Sequence, residues 1–137
     1  MRMFSRYASP ALATFTLAVL VGLAAPSAAR SAELTGAWSG GGRVVFSGGQ
    51  SERAVCRARF TRRSSSRYVM NAVCATQSAR VSQTATVRHM SGNSFYGSFF
   101  NEDYNLRGTL RILLRGNRLT ASLLADSGAA HLSLRRR

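Results

Sequence analysis

Residues 30–137 predict an all-β fold, a single antiparallel up-and-down meander whose eight strands close into a barrel. Three observations predict it. Apolar residues recur with period two rather than with a helical period throughout this span. Short clusters of Gly, Ser, Asn and Asp interrupt the alternation at hairpin intervals. The span also has neither Pro nor Lys, so it lacks the usual guards of an exposed sheet edge, and closure removes the edges altogether. A two-sheet sandwich is the alternative.

The first strand is expected from Leu34 to Phe46, with Gly40-Gly41-Gly42 as a bend or bulge inside it. The second and third strands form a hairpin around Arg62-Arg63-Ser64-Ser65-Ser66-Arg67. Centring that hairpin on Ser65 sets Cys56 opposite Cys74, Ala58 opposite Ala72, and Phe60 opposite Met70, all on one face. Directly opposed cysteines lie within bonding reach, so one Cys56–Cys74 disulfide is expected. The fourth strand runs from Arg80 to His89, with Val81, Ala85 and Val87 on one face, and Ser91-Gly92-Asn93 turns it into a fifth from Ser94 to Asn101. The sixth, from Asn105 to Arg115, is tied by the two-residue turn Gly116-Asn117 to the seventh, pairing Leu114 with Leu119, Ile112 with Ala121 and Leu110 with Leu123. Asp126-Ser127-Gly128 leads into a last strand with Ala130, Leu132 and Leu134 on the same face. The candidate interior, Trp38, Phe46, Phe60, Tyr68, Met70 and the Leu series, reads as full rather than as a ligand cavity.

Residues 1–29 have the pattern of a secretory signal peptide. Arg2 and Arg6 precede an apolar run from Ala11 to Ala25, and Ser27 and Ala29 supply small residues before the expected cleavage point. The run is shorter than the about 20 residues that span a bilayer. A periplasmic or secreted location is therefore expected, and two cysteines in an exported chain agree with one disulfide.

The segment Glu33-Leu34-Thr35-Gly36-Ala37-Trp38-Ser39-Gly40 resembles the opening strand of the calycin barrels, which include avidins, lipocalins and small bacterial metalloprotease inhibitors. The inhibitor branch is the nearest, sharing export, a similar length, the Ala32-Glu33-Leu34 lead-in, one disulfide and a basic C-terminus, here Arg135-Arg136-Arg137. The resemblance implies that Gly36 and Trp38 close the barrel base. It also implies inhibition by an N-terminal trunk inserted into a protease cleft, although only Arg30-Ser31-Ala32-Glu33 precede the first strand here.

The whole chain carries a formal charge of +14, and every basic residue apart from two histidines is Arg. Without Lys there is no P-loop amine, Schiff base or Lys nucleophile. His89 and His131 have no ligand partners at metal spacing, Glu102-Asp103 sits in a turn, and the serines lack a nucleophile elbow. No enzyme, metal site or cofactor is expected. A meander gathers alternate turns at each end. One end collects Arg62, Arg63, Arg67, Arg88, His89, Arg115, Arg118, Arg135, Arg136 and Arg137 with Glu33, and the other collects Glu52, Glu102, Asp103 and Asp126 with Arg53 and Arg80. The expected function is a non-catalytic exported binding protein that docks on an anionic envelope component through Arg62, Arg63, Arg67, Arg115, Arg118, Arg135, Arg136 and Arg137. Candidate partners are anionic lipid, lipopolysaccharide, acidic polysaccharide or an acidic protein, not genomic nucleic acid. A protease inhibitor and an envelope protein without a dedicated ligand are the alternatives.

Overall fold

The computed structural model describes residues 11, 21–25 and 33–137, so the signal segment expected over 1–29 falls largely outside the described residues. Eight strands follow one another: β1 (Gly36–Phe46), β2 (Ser51–Arg62), β3 (Arg67–Ala75), β4 (Arg80–Ser91), β5 (Ser94–Asn101), β6 (Leu106–Arg115), β7 (Arg118–Ala125) and β8 (Gly128–Arg136). Each pairs antiparallel with the next, and β1 pairs with both β2 and β8, closing the barrel in sequence order. The eight-stranded meander expected from the sequence is borne out, and the sandwich is not formed.

Period-two alternation drives this arrangement. Along β2, Ala54, Cys56, Ala58 and Phe60 are buried while Arg53, Val55, Arg57 and Arg59 face solvent. A slip of one residue would turn four Arg or Val side chains inward, so the register is tightly set. The ladder pairs Cys56 with Cys74, Ala58 with Ala72 and Phe60 with Met70, and the two sulfurs are bonded. Across the Gly116-Asn117 turn the ladder pairs Leu114 with Leu119, Ile112 with Ala121 and Leu110 with Leu123. Gly116 sits at φ 59°, the left-handed conformation that a tight hairpin demands and glycine supplies without a steric cost.

Three boundaries and the role of the glycine triplet differ from the sequence reading. β1 begins at Gly36 rather than Leu34, because Leu34 is drawn under the barrel by the Trp38 indole, and β4 runs on to Ser91 rather than ending at His89, because Ser91 still pairs with Ser94. β6 begins at Leu106 rather than Asn105, because Asn105 lies at φ 49° and belongs to the turn, a conformation Asn tolerates better than most residues. The glycine triplet produces no bulge, since the ladders from β1 to both neighbours run through it without a register shift. Its role is close approach. A Cβ on Gly40 or Gly42 would collide with the backbone carbonyl oxygens of Ser133 or His131 on β8.

The interior is not filled evenly, which corrects the expectation of a full core. Below the disulfide, Trp38, Phe60, Tyr68, Phe95, Ile112, Leu114 and Leu119 are buried and leave little space. Above it, inward positions go to Ala54, Ala125 and Ala130, and Phe46 lies half-exposed at the rim. The largest side chains, Trp38, Tyr68, Phe60 and Phe95, thus pack one half of the barrel, while in the other half Ala54, Ala125 and Ala130 stand among Phe99, Leu123 and Leu132 and leave space.

The disulfide closes a loop with a sequence separation of 18 residues. Replacing both cysteines by Ala is expected to cost about 3 kcal/mol, mostly by releasing the unfolded chain. Thermal melting followed by circular dichroism should show Tm falling by roughly 10–20 °C. An unchanged Tm would show that the bond contributes nothing to stability.

Candidate functional site

The two ends of the barrel differ in chemistry. At the closed end Trp38 is fully buried, and its indole Nε1 donates to the carbonyl of Leu34 at 2.8 Å, drawing Leu34 beneath the barrel. The Arg136 guanidinium lies 4.3 Å over the Trp38 ring and donates to the carbonyl oxygens of Thr35 at 2.8 Å and Glu33 at 2.6 Å. Gly36, at φ 124°, turns the chain from this plug into β1. Tyr68 and Phe95 meet edge to face above it, with ring centroids 5.7 Å apart.

Glu33 ties the plug to the wall. Its carboxylate pairs with Arg62 and accepts from the Thr35 backbone N–H at 2.8 Å. Partial burial pushes the Glu33 pKa up, but the hydrogen bonds from Thr35 and Arg62 outweigh it and hold the group down at about 2. Arg62 also donates to the Tyr68 hydroxyl and lies 4.8 Å over that ring, so this arginine is committed to the base of the barrel.

The other sequence-selected arginines gather at the same end. Arg63 and Arg67 flank the β2–β3 turn, Arg115 faces Arg118 across the β6–β7 turn, and Arg118 faces Arg135 on β8. The row continues across the outer wall through Ser39 to Arg57. A shallow concavity of about 420 Å³ lies beside it, lined by Arg57, Arg59, Asn71, Thr84 and Arg137 among others. Arg57 and Arg59 were not selected from the sequence. Their signal was the outward phase of β2, which becomes informative only once β8 is known to lie two strands away. Among the described residues the pair between Arg62 and Glu33 is the one ion pair; Glu102 lines the same concavity as Arg57, Arg59 and Arg137, so the array holds an excess of guanidiniums with one carboxylate beside it.

The opposite end is open and holds Glu52, Glu102, Asp103 and Asp126 together with Arg43, Arg53 and Arg80. Glu52 accepts from the Ser78 hydroxyl at 2.8 Å, and Asp103 accepts from the Ser82 backbone N–H at 2.7 Å. Hydrogen bonds from the Ser78 and Thr76 hydroxyls lower the Glu52 pKa. Between the turns at this end, a cup of about 440 Å³ reaches down to the disulfide. Its wall is mostly apolar, with Val44, Val81, Phe99, Leu123 and Leu132, and it carries Gln83 and Asn101 as inward amides. Among the described residues no Arg, His, Asp or Glu lines it. Tyr104, on the β5–β6 turn, stands at the mouth and is largely exposed. Among the described residues no cluster of His, Cys, Asp or Glu has the makings of a metal site.

No protein-family model and no curated protein sequence matches the chain. Solved structures do. A redesigned β-barrel, mFAP1, bound to DFHBI, is similar with a TM-score of 0.64 at 12% identity, covering 76% of this chain and 94% of that one. A de novo designed fluorescence-activating β-barrel gives 0.60 at 13% identity, over 76% of this chain and 94% of that one. The fatty-acid-binding protein 1 of Echinococcus granulosus gives 0.43 at 10% identity, over 75% and 96% of the two chains. The likeness to the two designed barrels is one of fold, a closed eight-stranded antiparallel barrel.

Because the Glu33 pKa is depressed, its pairing stabilises the fold above the ordinary carboxylate value of 4.5 and is lost as pH falls towards about 2. Glu33→Gln is expected to destabilise the protein at neutral pH by about 1 kcal/mol or less, since both partners are partly solvated. Urea denaturation of the two proteins should converge as the medium approaches pH 2. A difference that persists there would assign the effect to packing rather than charge.

Proposed function

We propose that this chain is a non-catalytic, exported binding protein that takes a small, largely apolar molecule into its open cup. The observation that carries this reading is the graded interior, which is packed to the floor at one end and leaves about 440 Å³ at the other. That volume lies within the range of small-molecule sites, and its apolar wall with a few convergent polar groups is the usual composition of one. A wall without carboxylate, imidazole or guanidinium has nothing to transfer a proton at neutral pH, which supports binding without catalysis.

A second reading is favoured by a separate observation. The row Arg115, Arg118, Arg135 and Arg57, with Arg59 and Arg137 beside it, presents guanidiniums that form no ion pair among the described residues, with Glu102 as the one acid in the adjoining concavity. We infer docking there on an anionic envelope component, with lipid or lipopolysaccharide phosphates as the first candidates. The cup opens at the opposite end, so the two readings are compatible. The protease-inhibitor alternative has less to support it, because Glu33 and Thr35 are held against the base by Arg62 and Arg136 rather than projecting from it.

Titration with the neutral dye Nile red tests the cup. The protein should enhance and blue-shift the dye's fluorescence, and Ala130→Phe, which fills the cup from β8, should weaken binding by about tenfold or more without lowering Tm. Equal binding by both proteins would remove the cup from the function. Docking is tested by co-sedimentation with phosphatidylglycerol vesicles. Binding should fall steeply between about 0.05 M and about 0.5 M salt and on replacing Arg118, Arg135 and Arg137 by Ala. Salt-independent binding would overturn that reading.

A further inference from the structure

The outer wall of β4, β5 and β6 carries a second cationic surface, away from the cup and from the row that begins at Arg115. Ladder partners place Arg88, Tyr96 and Arg111 side by side, with Arg67 of β3 next to Arg88. Four residues away along β5 and β6 the partners are Phe100 and Arg107, with Thr84 of β4 beside them. Between these two rows lies a third, Thr86, Ser98 and Thr109, which is uncharged and exposed. All four arginines are exposed, and none forms an ion pair among the described residues. The nearest acids in sequence, Glu102, Asp103 and Asp126, lie in the turns of the mouth.

Two of these guanidiniums rest on rings. Arg107 lies 4.7 Å over Phe100, and Arg111 lies 5.8 Å over Tyr96. A free arginine arm loses rotamer freedom when it binds an anion, whereas one already resting on a ring has lost part of that freedom beforehand. Its planar fork still takes a carboxylate through two N–H donors, because the ring occupies the face of the guanidinium and not its edge. Arg107 and Arg111 stand four residues apart on one strand, a rise of about 13 Å. The wall therefore presents two pre-positioned anion receptors with a strip of hydroxyls between them, and each hydroxyl can donate or accept.

A single compact anion would engage one receptor and leave the other idle. A chain that carries carboxylates at intervals, with hydroxyls between them, engages both receptors and the strip. A single strand of nucleic acid is also linear and anionic, but it binds surfaces of this kind by stacking its bases on open rings. Here Phe100 is half-buried, and both rings already have a guanidinium over them. We propose that this wall binds an acidic polysaccharide, a uronate-bearing chain, with Arg107 and Arg111 as its carboxylate receptors and Phe100 and Tyr96 as the residues that position them.

Isothermal titration calorimetry of the whole protein at about 0.1 M salt tests this with a galacturonate hexamer, its full methyl ester and a thymidine hexanucleotide. The acid hexamer should bind about tenfold more tightly than the ester, which keeps the hydroxyls but has no carboxylate, and more tightly than the nucleotide. Arg107→Ala and Arg111→Ala should each weaken hexamer binding by about tenfold, while Arg53→Ala, an equal loss of charge on β2, should change it by less than about twofold. Tyr96→Leu should weaken it by about threefold, and Tyr96→Phe, which restores the ring, should recover the parent affinity. Equal binding of acid and ester, equal losses in Arg53→Ala and the two wall variants, or a Tyr96→Phe no better than Tyr96→Leu would each overturn the proposal. Tighter binding of the nucleotide would overturn it in favour of single-stranded nucleic acid, and a hexamer that does not bind would overturn it outright.

Discussion

Eight strands fix the width of a closed sheet, so the properties of this barrel depend on how the sizes of its inward side chains are graded along its axis. Trp38, Phe60, Tyr68 and Phe95 consume the available section at one end. Ala54, Ala125 and Ala130 do not consume it at the other. The disulfide sits at the transition and touches both regions, with Cys56 and Cys74 lining the cup as well as the packed core. One covalent bond therefore holds neighbouring strands together at the level where side-chain packing stops doing so.

Charge is graded along the same axis. The closed end concentrates guanidiniums, and its single acid, Glu33, is spent on Arg62 in fastening the plug. Two arginines there also lie over aromatic rings, Arg62 over Tyr68 and Arg136 over Trp38, so part of the positive charge is built into the base itself. At the mouth, Glu52 and Asp103 are used by the turns, accepting from Ser78 and Ser82. Glu33, Glu52 and Asp103 serve structure, and the guanidiniums of the outer wall outnumber the one acid beside them, Glu102.

The topology and register were legible because two independent signals agreed. Alternation set which residues face inward, and turn chemistry at Ser65 and Gly116-Asn117 set where each hairpin folds; together they specify partners such as Cys56 and Cys74 to the residue. The cup was not legible in the same way. Naming bulky interior residues from the whole chain suggests a full core, but Phe46 belongs to the mouth, and the small residues that open the cup are inward neighbours only after the strands are stacked by level. Gln83 was likewise readable as an inward polar position on β4, whereas its ladder partners Ala72 and Asn101 lie 11 and 18 residues away in sequence. The outer arginine row was hidden for a related reason, because Arg57 and Arg135 become neighbours only through Ser39 on β1.

The pairing of β1 with β8 closes the barrel and joins strands almost a hundred residues apart, Trp38 with Arg136 at one extreme. Every other ladder is a local hairpin. Seven of the eight seams can therefore zip early, while the last waits on the slowest search the chain has to make. Until it closes, the molecule is an open sheet with two bare edges, each able to pair with another copy. The Gly40 and Gly42 positions that let β8 approach so closely lie on this seam. Their tolerance of a neighbouring backbone governs whether the two edges find each other or find the edges of a second molecule, and so how far the barrel's yield depends on concentration while it folds.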